Sequence, residues 1–209
     1  MKIDHLMWAC ADLDAGIAEL EQLTGIKAEF SGSHTGMGTR NALMSLGIDC
    51  YLEIIAPDPE QLLQGNFGGR LAELKDTGLL SWAVARQDLE GLKAELGDKG
   101  IETSRVQTTT RQDQRGELLT WQLLFVKDLP GAPFFIDWLD CLHPAKTSPA
   151  GCQIKSLTVW MNGSEAYQRA LGAMERLTIR NGDKNPEAVI QCPNGIVTLT
   201  PLNTPLKVF

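Results

Sequence analysis

The fold is decided by IDHLMWACADLDAGIAELEQLTGI (residues 3–26), which recurs in altered form as LLSWAVARQDLEGLKAELGDKGI (79–101) and IKSLTVWMNGSEAYQRALGAM (154–174). Each stretch opens with a short apolar run typical of a β-strand and continues with the spacing of an amphipathic helix. The matched positions recur at nearly equal intervals along the chain. Self-similarity at a fixed period indicates a duplicated structural unit, so we expect three related units.

The sequence of the first stretch predicts a helix and both of its ends. Leu13, Ile17 and Leu20 recur at steps of four and three, which places them on one helical face. Asp12 precedes them as a predicted N-cap, and Gly25 follows where a left-handed C-terminal residue is expected. The unit is therefore predicted to run from a strand into a helix.

Strand-like stretches follow each predicted helix. In the first unit they read KAEFSGSHTGMG, TRNALMSLG and CYLEIIAP. Stretches rich in Gly, Pro and polar residues separate the units. The sequence therefore predicts an α+β fold with βαβββ modules at residues 1–77 and 78–150, followed by a truncated third module, βαββ(β), at residues 151–209.

Composition narrows the class of protein and its partners. The chain has 209 residues and a net charge of −7, which disfavours binding to nucleic acid or to an anionic membrane surface. No apolar run approaches the roughly 20 residues needed to cross a bilayer, and the N-terminus shows no signal-peptide core. The five cysteines are scattered in a spacing typical of neither a disulfide framework nor a zinc knuckle. We expect mostly reduced thiols and a cytoplasmic protein.

The first unit also contains DHLMWACADLD (4–14) and HTGMGTRNALMSLGIDCYLEIIAPDP (34–59). These segments resemble the glyoxalase-like members of the vicinal-oxygen-chelate superfamily, strongly over residues 1–60, fairly over 78–143 and thinly beyond 152. The resemblance implies that the first strand of each unit lies beside the fourth. It also implies that two units form an open curved sheet, a half-barrel, around a cleft. Enzymes of this superfamily hold a divalent metal there, with ligands from the first and fourth strands of both units.

The resemblance implies a metal site made by His5 and Glu53 of the first unit and Asp137 of the second. Asp137 takes the place of Glu53 when FIDW is laid on YLEI. Ser81 stands where a second His or acid is expected, and a Ser hydroxyl is a poor metal ligand. One His with two carboxylates suits Mg²⁺ or Mn²⁺, with Ni²⁺ and Zn²⁺ as further candidates. It disfavours an iron oxygenase site, which needs two His and one carboxylate.

Substrate-binding candidates flank these positions. Arg40 and Asn41 follow glycines in GMGTRNAL, and because neighbouring strand residues point to opposite faces, only one of them can face the cleft. Arg40 offers a forked cation for a carboxylate or phosphate. Trp8, Trp82 and Trp138 adjoin predicted site positions and form either an aromatic lining or part of the core.

The two remaining histidines have no predicted role. His34, within SGSHTG, is typical of a loop, and His143, before Pro144, is typical of a strand end. The spacing of these residues indicates no Ser or Cys catalytic triad.

Two hypotheses of function follow. In the first, the protein is a metal-dependent lyase or isomerase of the glyoxalase type that acts on a small oxygenated substrate. Glu53 then acts as the general base, and Arg40 or Asn41 orients the substrate. In the second, it is a metal-free protein that binds or sequesters a small-molecule ligand in the Trp-rich cleft. Ser81, as a substrate-binding rather than a metal-binding residue, favours this view. The third module further suggests a homodimer.

Overall fold

The computed structural model describes residues 1–112, 118–162, 165–204 and 206. The first unit contains β1 (Lys2–Ala9), α1 (Leu13–Thr24), β2 (Glu29–His34), β3 (Thr39–Ser45), β4 (Tyr51–Pro57) and the short helix α2 (Phe67–Ala72). The second contains β5 (Gly78–Ala85), α3 (Leu89–Gly97), β6 (Gln107–Gln112), β7 (Leu118–Leu124) and β8 (Phe134–Asp137). After a 3₁₀ turn (Pro144–Lys146), the third contains β9 (Gln153–Trp160), α4 (Glu165–Leu171), β10 (Leu177–Arg180), β11 (Glu187–Cys192) and β12 (Gly195–Leu199).

The first two units share one eight-stranded sheet, in the order β2-β3-β4-β1-β5-β8-β7-β6. In each unit the first strand runs parallel to the fourth, and the two first strands pair antiparallel at the centre. At the outer edges, the Arg111 guanidinium on β6 donates a 2.7 Å hydrogen bond to the Ser31 hydroxyl on β2. The sheet therefore curves until its edge strands meet, which confirms the predicted α+β fold of βαβββ modules around a cleft.

The third unit has the same order of elements but a different sheet. Its strands run β10-β9-β11-β12, so β9 lies between β10 and β11 rather than beside the last strand of its unit. The third unit thus shares the order of elements along the chain with the other two units, but not the order of strands in the sheet. The module boundaries proposed after residues 77 and 150 both fall between regular elements.

Alternation along β1 separates two apolar clusters. Leu6 and Trp8 belong to the core on the helix-covered face of the sheet, whereas Met7 belongs to the cluster on the concave face. Helix α1 begins as predicted, because the Asp12 carboxylate accepts the Ala15 N–H at 2.8 Å. It ends at Gly25, whose φ of 78° is the left-handed conformation expected there.

The cysteines depart from the prediction. Cys152 and Cys192 form a disulfide that joins the start of β9 to the end of β11, although their spacing gave no sign of a pair. The reason is register, since antiparallel pairing of β9 with β11 places the two residues opposite each other. Cys10, Cys50 and Cys141 are free, as predicted. A cytoplasmic location stays a prediction, and the disulfide removes the cysteine argument for it. No helix in the described ranges is long and apolar enough to span a membrane.

We predict that alkylation of denatured, unreduced protein labels three cysteines and that labelling after reduction labels five, as counted by intact mass. In the native protein Cys141 should react first, because burial raises the pKa of both Cys10 and Cys50 to about 12 and leaves them as unreactive thiols at pH 8. Five labels without reductant would show that the disulfide is absent.

Candidate functional site

A cavity of about 130 Å³ lies on the concave face of the eight-stranded sheet. Strands β1, β3 and β4 supply one wall, and β6, β7 and β8 supply the other. One part is apolar and aromatic, and it includes Trp121, Leu123, Phe125, Phe134 and Trp138. The other part carries the polar and charged side chains His5, His34, Asn41, Glu53 and Arg111. A mostly apolar cavity with a few convergent polar groups is typical of a small-molecule site.

A wider groove of about 610 Å³ lies between the first and third units, beside the disulfide. Among the described residues that line it, Lys146 carries the only charge, and no acid–base pair faces it. The smaller cavity is therefore the candidate functional site.

His5 and Glu53 meet in the cavity. Both side chains are almost completely buried, and the distance between His5 Nε2 and Glu53 Oε2 is 3.8 Å. In the register of β1 with β4, His5 lies opposite Tyr51 and Glu53 lies opposite Met7, so the two side chains approach along a diagonal of one face. The His5 ring also stacks on Tyr51 with ring centroids 4.5 Å apart, which holds its orientation.

His34 is a site residue that the sequence analysis missed. It is the last residue of β2 rather than part of a loop, and it pairs with Thr39 across a hairpin. Its Nε2 lies 3.8 Å from Glu53 Oε1, and its Nδ1 lies 2.9 Å from the Thr39 hydroxyl. Burial lowers the pKa of His34 despite the opposing charge of Glu53, so the ring is neutral at pH 7. The available signal was the glycine-rich turn, which folds His34 back toward Thr39 and Asn41.

Asn41, and not Arg40, faces the cavity. The Asn41 amide donates to Glu53 Oε1 at 2.7 Å, and its nitrogen also lies 3.3 Å from His34 Nε2. Arg40 is the neighbouring residue on the same strand and does not line the cavity, so the structure does not bring it to the other predicted site residues. A cation is supplied instead by Arg111 of β6, whose Nη1 donates to Asn41 Oδ1 at 3.2 Å.

Of the three tryptophans predicted to bind substrate, one lines the cavity. Trp138 stands in the wall, and its indole N–H donates to Asp4 at 3.1 Å. Trp8 and Trp82 lie in the core on the opposite face of the sheet, where the Trp82 indole N–H donates to the Gly131 carbonyl at 3.0 Å. The structure therefore places these two side chains in the core and not in the cavity wall.

The second unit does not provide the predicted metal ligands. The Asp137 carboxylate accepts the backbone N–H groups of Asp88 and Leu139, at 3.1 and 2.9 Å, at the start of α3. The residues of β8 that face the cavity are Phe134 and Ile136, the neighbour of Asp137. A shift of one residue along a strand moves a side chain to the other face, and this slip separates Asp137 from Glu53. Ser81 pairs with Met7 in the sheet and does not line the cavity.

The hydrogen bonds determine which His5 nitrogen faces Glu53. His5 Nδ1 lies 2.7 Å from Asp4 Oδ1, and the other ring nitrogen, Nε2, faces Glu53. Over the described residues, no group of three or more His, Cys, Asp or Glu side chains is arranged so that it could hold a metal ion. His5 and His34 instead approach different oxygens of Glu53, each at 3.8 Å.

A family model for the glyoxalase-like domain matches residues 3–176. The chain belongs to the glyoxalase-like domain family. Its fold is similar to that of a crystallised hypothetical protein from Staphylococcus aureus, with 20% identity, a TM-score of 0.64, and coverage of 94% of this chain and 84% of that one.

Weaker similarity extends to methylmalonyl-CoA epimerases, which belong to the vicinal-oxygen-chelate superfamily. The Mycobacterium tuberculosis enzyme has 20% identity, covers 65% of this chain and 85% of its own, and gives a TM-score of 0.46. A Streptomyces coelicolor variant, in complex with 2-nitronate-propionyl-CoA, has 21% identity, 66% and 96% coverage, and a TM-score of 0.45. These similarities are too low to transfer a substrate. No curated protein matches the sequence.

We predict that Asn41→Asp destabilises the protein by about 1–3 kcal/mol at pH 8 and by less at pH 5. The substitution places a second carboxylate 2.7 Å from Glu53 Oε1. Two ionised carboxylates at this distance repel each other, and stability returns as the pH falls and one of them takes a proton. Urea unfolding at the two pH values measures the difference.

Gln107→Glu is the matched control, because it adds the same charge to the cavity wall at an exposed position. Its effect should stay within about 0.5 kcal/mol at both pH values. An equal loss for Asn41→Asp at pH 5 and pH 8 would contradict the contact with Glu53.

Proposed function

We propose that this protein is a glyoxalase-like lyase or isomerase that moves a proton on a small oxygenated substrate, with a divalent metal at the polar end of the cavity. The observation that carries the proposal is the pair formed by His5 Nε2 and Glu53 Oε2. The two atoms are 3.8 Å apart, and both side chains are almost completely buried.

This separation is too long for a hydrogen bond and suits a shared ion. Ligands bound to one ion at about 2.0–2.2 Å stand about 3–4 Å apart. A lone pair and a carboxylate oxygen repel each other in a buried site unless a cation or a donor lies between them. The pair therefore favours a cation, or the hydroxyl of a ligand, in that position.

The residue types, rather than a formed ligand group, favour a transition metal. His5 and His34 offer imidazole nitrogens, and Glu53 offers a carboxylate that lies between them. Two imidazoles with one carboxylate suit Zn²⁺, Ni²⁺ or Mn²⁺ better than Mg²⁺. His34 also removes the sequence argument against a site with two His and one carboxylate. When bound, such an ion would polarise neighbouring substrate oxygens and stabilise negative charge on them.

The remaining residues bind and orient the substrate. The aromatic wall around Trp121 and Phe134 excludes water and holds the carbon skeleton. Asn41 and Arg111 fix the polar end of the substrate through amide and guanidinium donors. Glu53 is the group that takes the proton, as a carboxylate within reach of a bound ligand in a nearly dry cavity.

A metal-free binding protein is the second candidate. It is favoured by the Asn41 amide, whose nitrogen already donates to Glu53 and lies 3.3 Å from His34 Nε2. The Asn41 amide thereby provides hydrogen bonds to both Glu53 Oε1 and His34 Nε2 without an ion. In this alternative, His5 and Glu53 accept hydrogen bonds from the ligand.

We predict that protein purified without a His tag binds one Zn²⁺, Ni²⁺ or Mn²⁺ per chain, as measured by elemental analysis and calorimetry. At 100 times the Kd, the ion should add about 2.7 kcal/mol of stability and raise the Tm. His5→Ala and Glu53→Gln should each abolish binding.

The metal-loaded protein should also exchange the α-proton of small hydroxycarbonyl compounds with D₂O, as followed by NMR, and Glu53→Gln should not.

Asp137→Asn is the control, since Asp137 has the same chemistry and lies outside the cavity. It should bind the ion as the unmodified protein does. If no ion binds and no Tm shift occurs, the metal-dependent proposal fails and the metal-free candidate stands. Full metal content in His5→Ala would show that the ligand set is wrong.

We also propose a homodimer formed through the third unit. Its β12 is an edge strand, and Ile196 on that strand is 73% exposed. An exposed apolar side chain on an unpaired edge favours pairing with a second copy. Size-exclusion chromatography at several concentrations should show a dimer that Ile196→Lys weakens. Monomeric elution at every concentration would contradict this.

A further inference from the structure

Asp4 and His5 are adjacent in sequence, yet their side chains contact each other. Neighbouring residues of a regular strand point to opposite faces. In the pairing of β1 with β5, however, Ile3 lies opposite Val84 and His5 lies opposite Ala83, so Asp4 is an extra residue. This β-bulge turns the Asp4 carboxylate toward the His5 ring, where Oδ1 and Nδ1 are 2.7 Å apart.

The Asp4 carboxylate is completely buried and receives hydrogen bonds from three side chains. Besides His5, these are the Trp138 indole N–H, at 3.1 Å, and His143 Nε2, also at 3.1 Å. His143 Nδ1 accepts the Ala145 N–H at 3.2 Å, so the proton of His143 lies on Nε2 and points at Asp4. All three neighbours of the carboxylate are therefore donors.

This arrangement keeps Asp4 ionised. Three N–H donors around one buried carboxylate stabilise its ionised form. An ionised carboxylate can only accept, so His5 has to carry its proton on Nδ1 and present the Nε2 lone pair to the cavity.

We propose that Asp4 is a positioning residue that holds the His5 proton on Nδ1 and so keeps the Nε2 lone pair available to a cation or a hydroxyl in the cavity. The effect on ligand binding rests on the proposed function, whereas the position of the proton does not. Without this carboxylate, the proton can move to Nε2 and form a hydrogen bond to Glu53, 3.8 Å away. That bond would close the gap in which a ligand binds.

The network also links the two units. Asp4 and His5 belong to β1 of the first unit, while Trp138 and His143 follow β8 of the second. The second unit thus contributes to the His5 side of the cavity through Asp4, although it supplies none of the predicted metal ligands.

Long-range ¹H–¹⁵N NMR spectra of the uniformly labelled protein test the proposal, because they distinguish the two neutral forms of imidazole. The chain has three histidines, so His34→Gln and His143→Gln assign the His5 signals. In the unmodified protein at pH 8, His5 should carry its proton on Nδ1. In Asp4→Asn the side-chain amide can donate to Nδ1, and the proton should move to Nε2.

His143→Gln is the matched control, since it removes one donor to Asp4 and keeps the carboxylate. Its His5 should remain protonated on Nδ1. A proton on Nε2 of His5 in the unmodified protein, or an unchanged form in folded Asp4→Asn, would overturn the proposal. If Asp4→Asn does not fold, the spectra of the unmodified protein and of His143→Gln still decide it.

Zn²⁺ titration, followed by calorimetry, tests the consequence for binding. Asp4→Asn should weaken Zn²⁺ binding about 10–100-fold, because residues that orient a metal-binding His typically contribute that much to affinity. Unchanged Zn²⁺ affinity in this variant would overturn the positioning role. If the unmodified protein binds none of Zn²⁺, Ni²⁺ and Mn²⁺, the metal-dependent function fails, while the NMR result still decides whether Asp4 places the proton.

Discussion

The constraint on which the rest of the structure depends is the burial of two carboxylates, Asp4 and Glu53, where the two halves of the sheet join. A buried charge is costly unless hydrogen bonds or an opposite charge compensate it. Asp4 is compensated fully, by three N–H donors. Glu53 is compensated on one oxygen by the Asn41 amide, while its other oxygen faces the His5 lone pair. The polar side chains at this end of the cavity are those that compensate the two buried charges.

Strand β1 brings these groups together because it pairs with both units. It lies parallel to β4 of its own unit and antiparallel to β5 of the next. A side chain on β1 can therefore contact an acid from the first unit on one side and donors from the second unit on the other. The bulge at Asp4 adds to this by turning two consecutive side chains toward the same region. A duplicated fold thus places its most connected residues at the junction of the two copies.

Periodicity was enough to predict the βαβββ order. The meeting of His5 with Glu53 was predicted by the resemblance to glyoxalase-like proteins, which implies that the first strand lies beside the fourth. The alternation of side chains between the two faces of a strand explains why the prediction for the second unit failed. Placing Asp137 by alignment was wrong by one residue, and Ile136 faces the cavity instead. Two cavity residues were missed, His34 and Arg111. A hairpin brings His34 to the cavity, and the meeting of the edge strands β2 and β6 brings Arg111 there. Neither contact leaves a periodic signal in the sequence. Their placement depends on tertiary curvature, which local sequence does not encode.

The two sides of Glu53 explain why one cavity supports both a metal site and a metal-free one. On the Oε1 side, the Asn41 amide contacts the carboxylate, and Arg111 bonds to the oxygen of that same amide. On the Oε2 side, a lone pair fixed by Asp4 faces the carboxylate without a donor between them. An ion would therefore be held mainly by the first unit, with the apolar wall of the second unit closing the cavity over it. Because the second unit supplies none of the predicted ligands, an ion site would lie near His5 and Glu53 of the first unit. The absence of those ligands does not by itself exclude such a site.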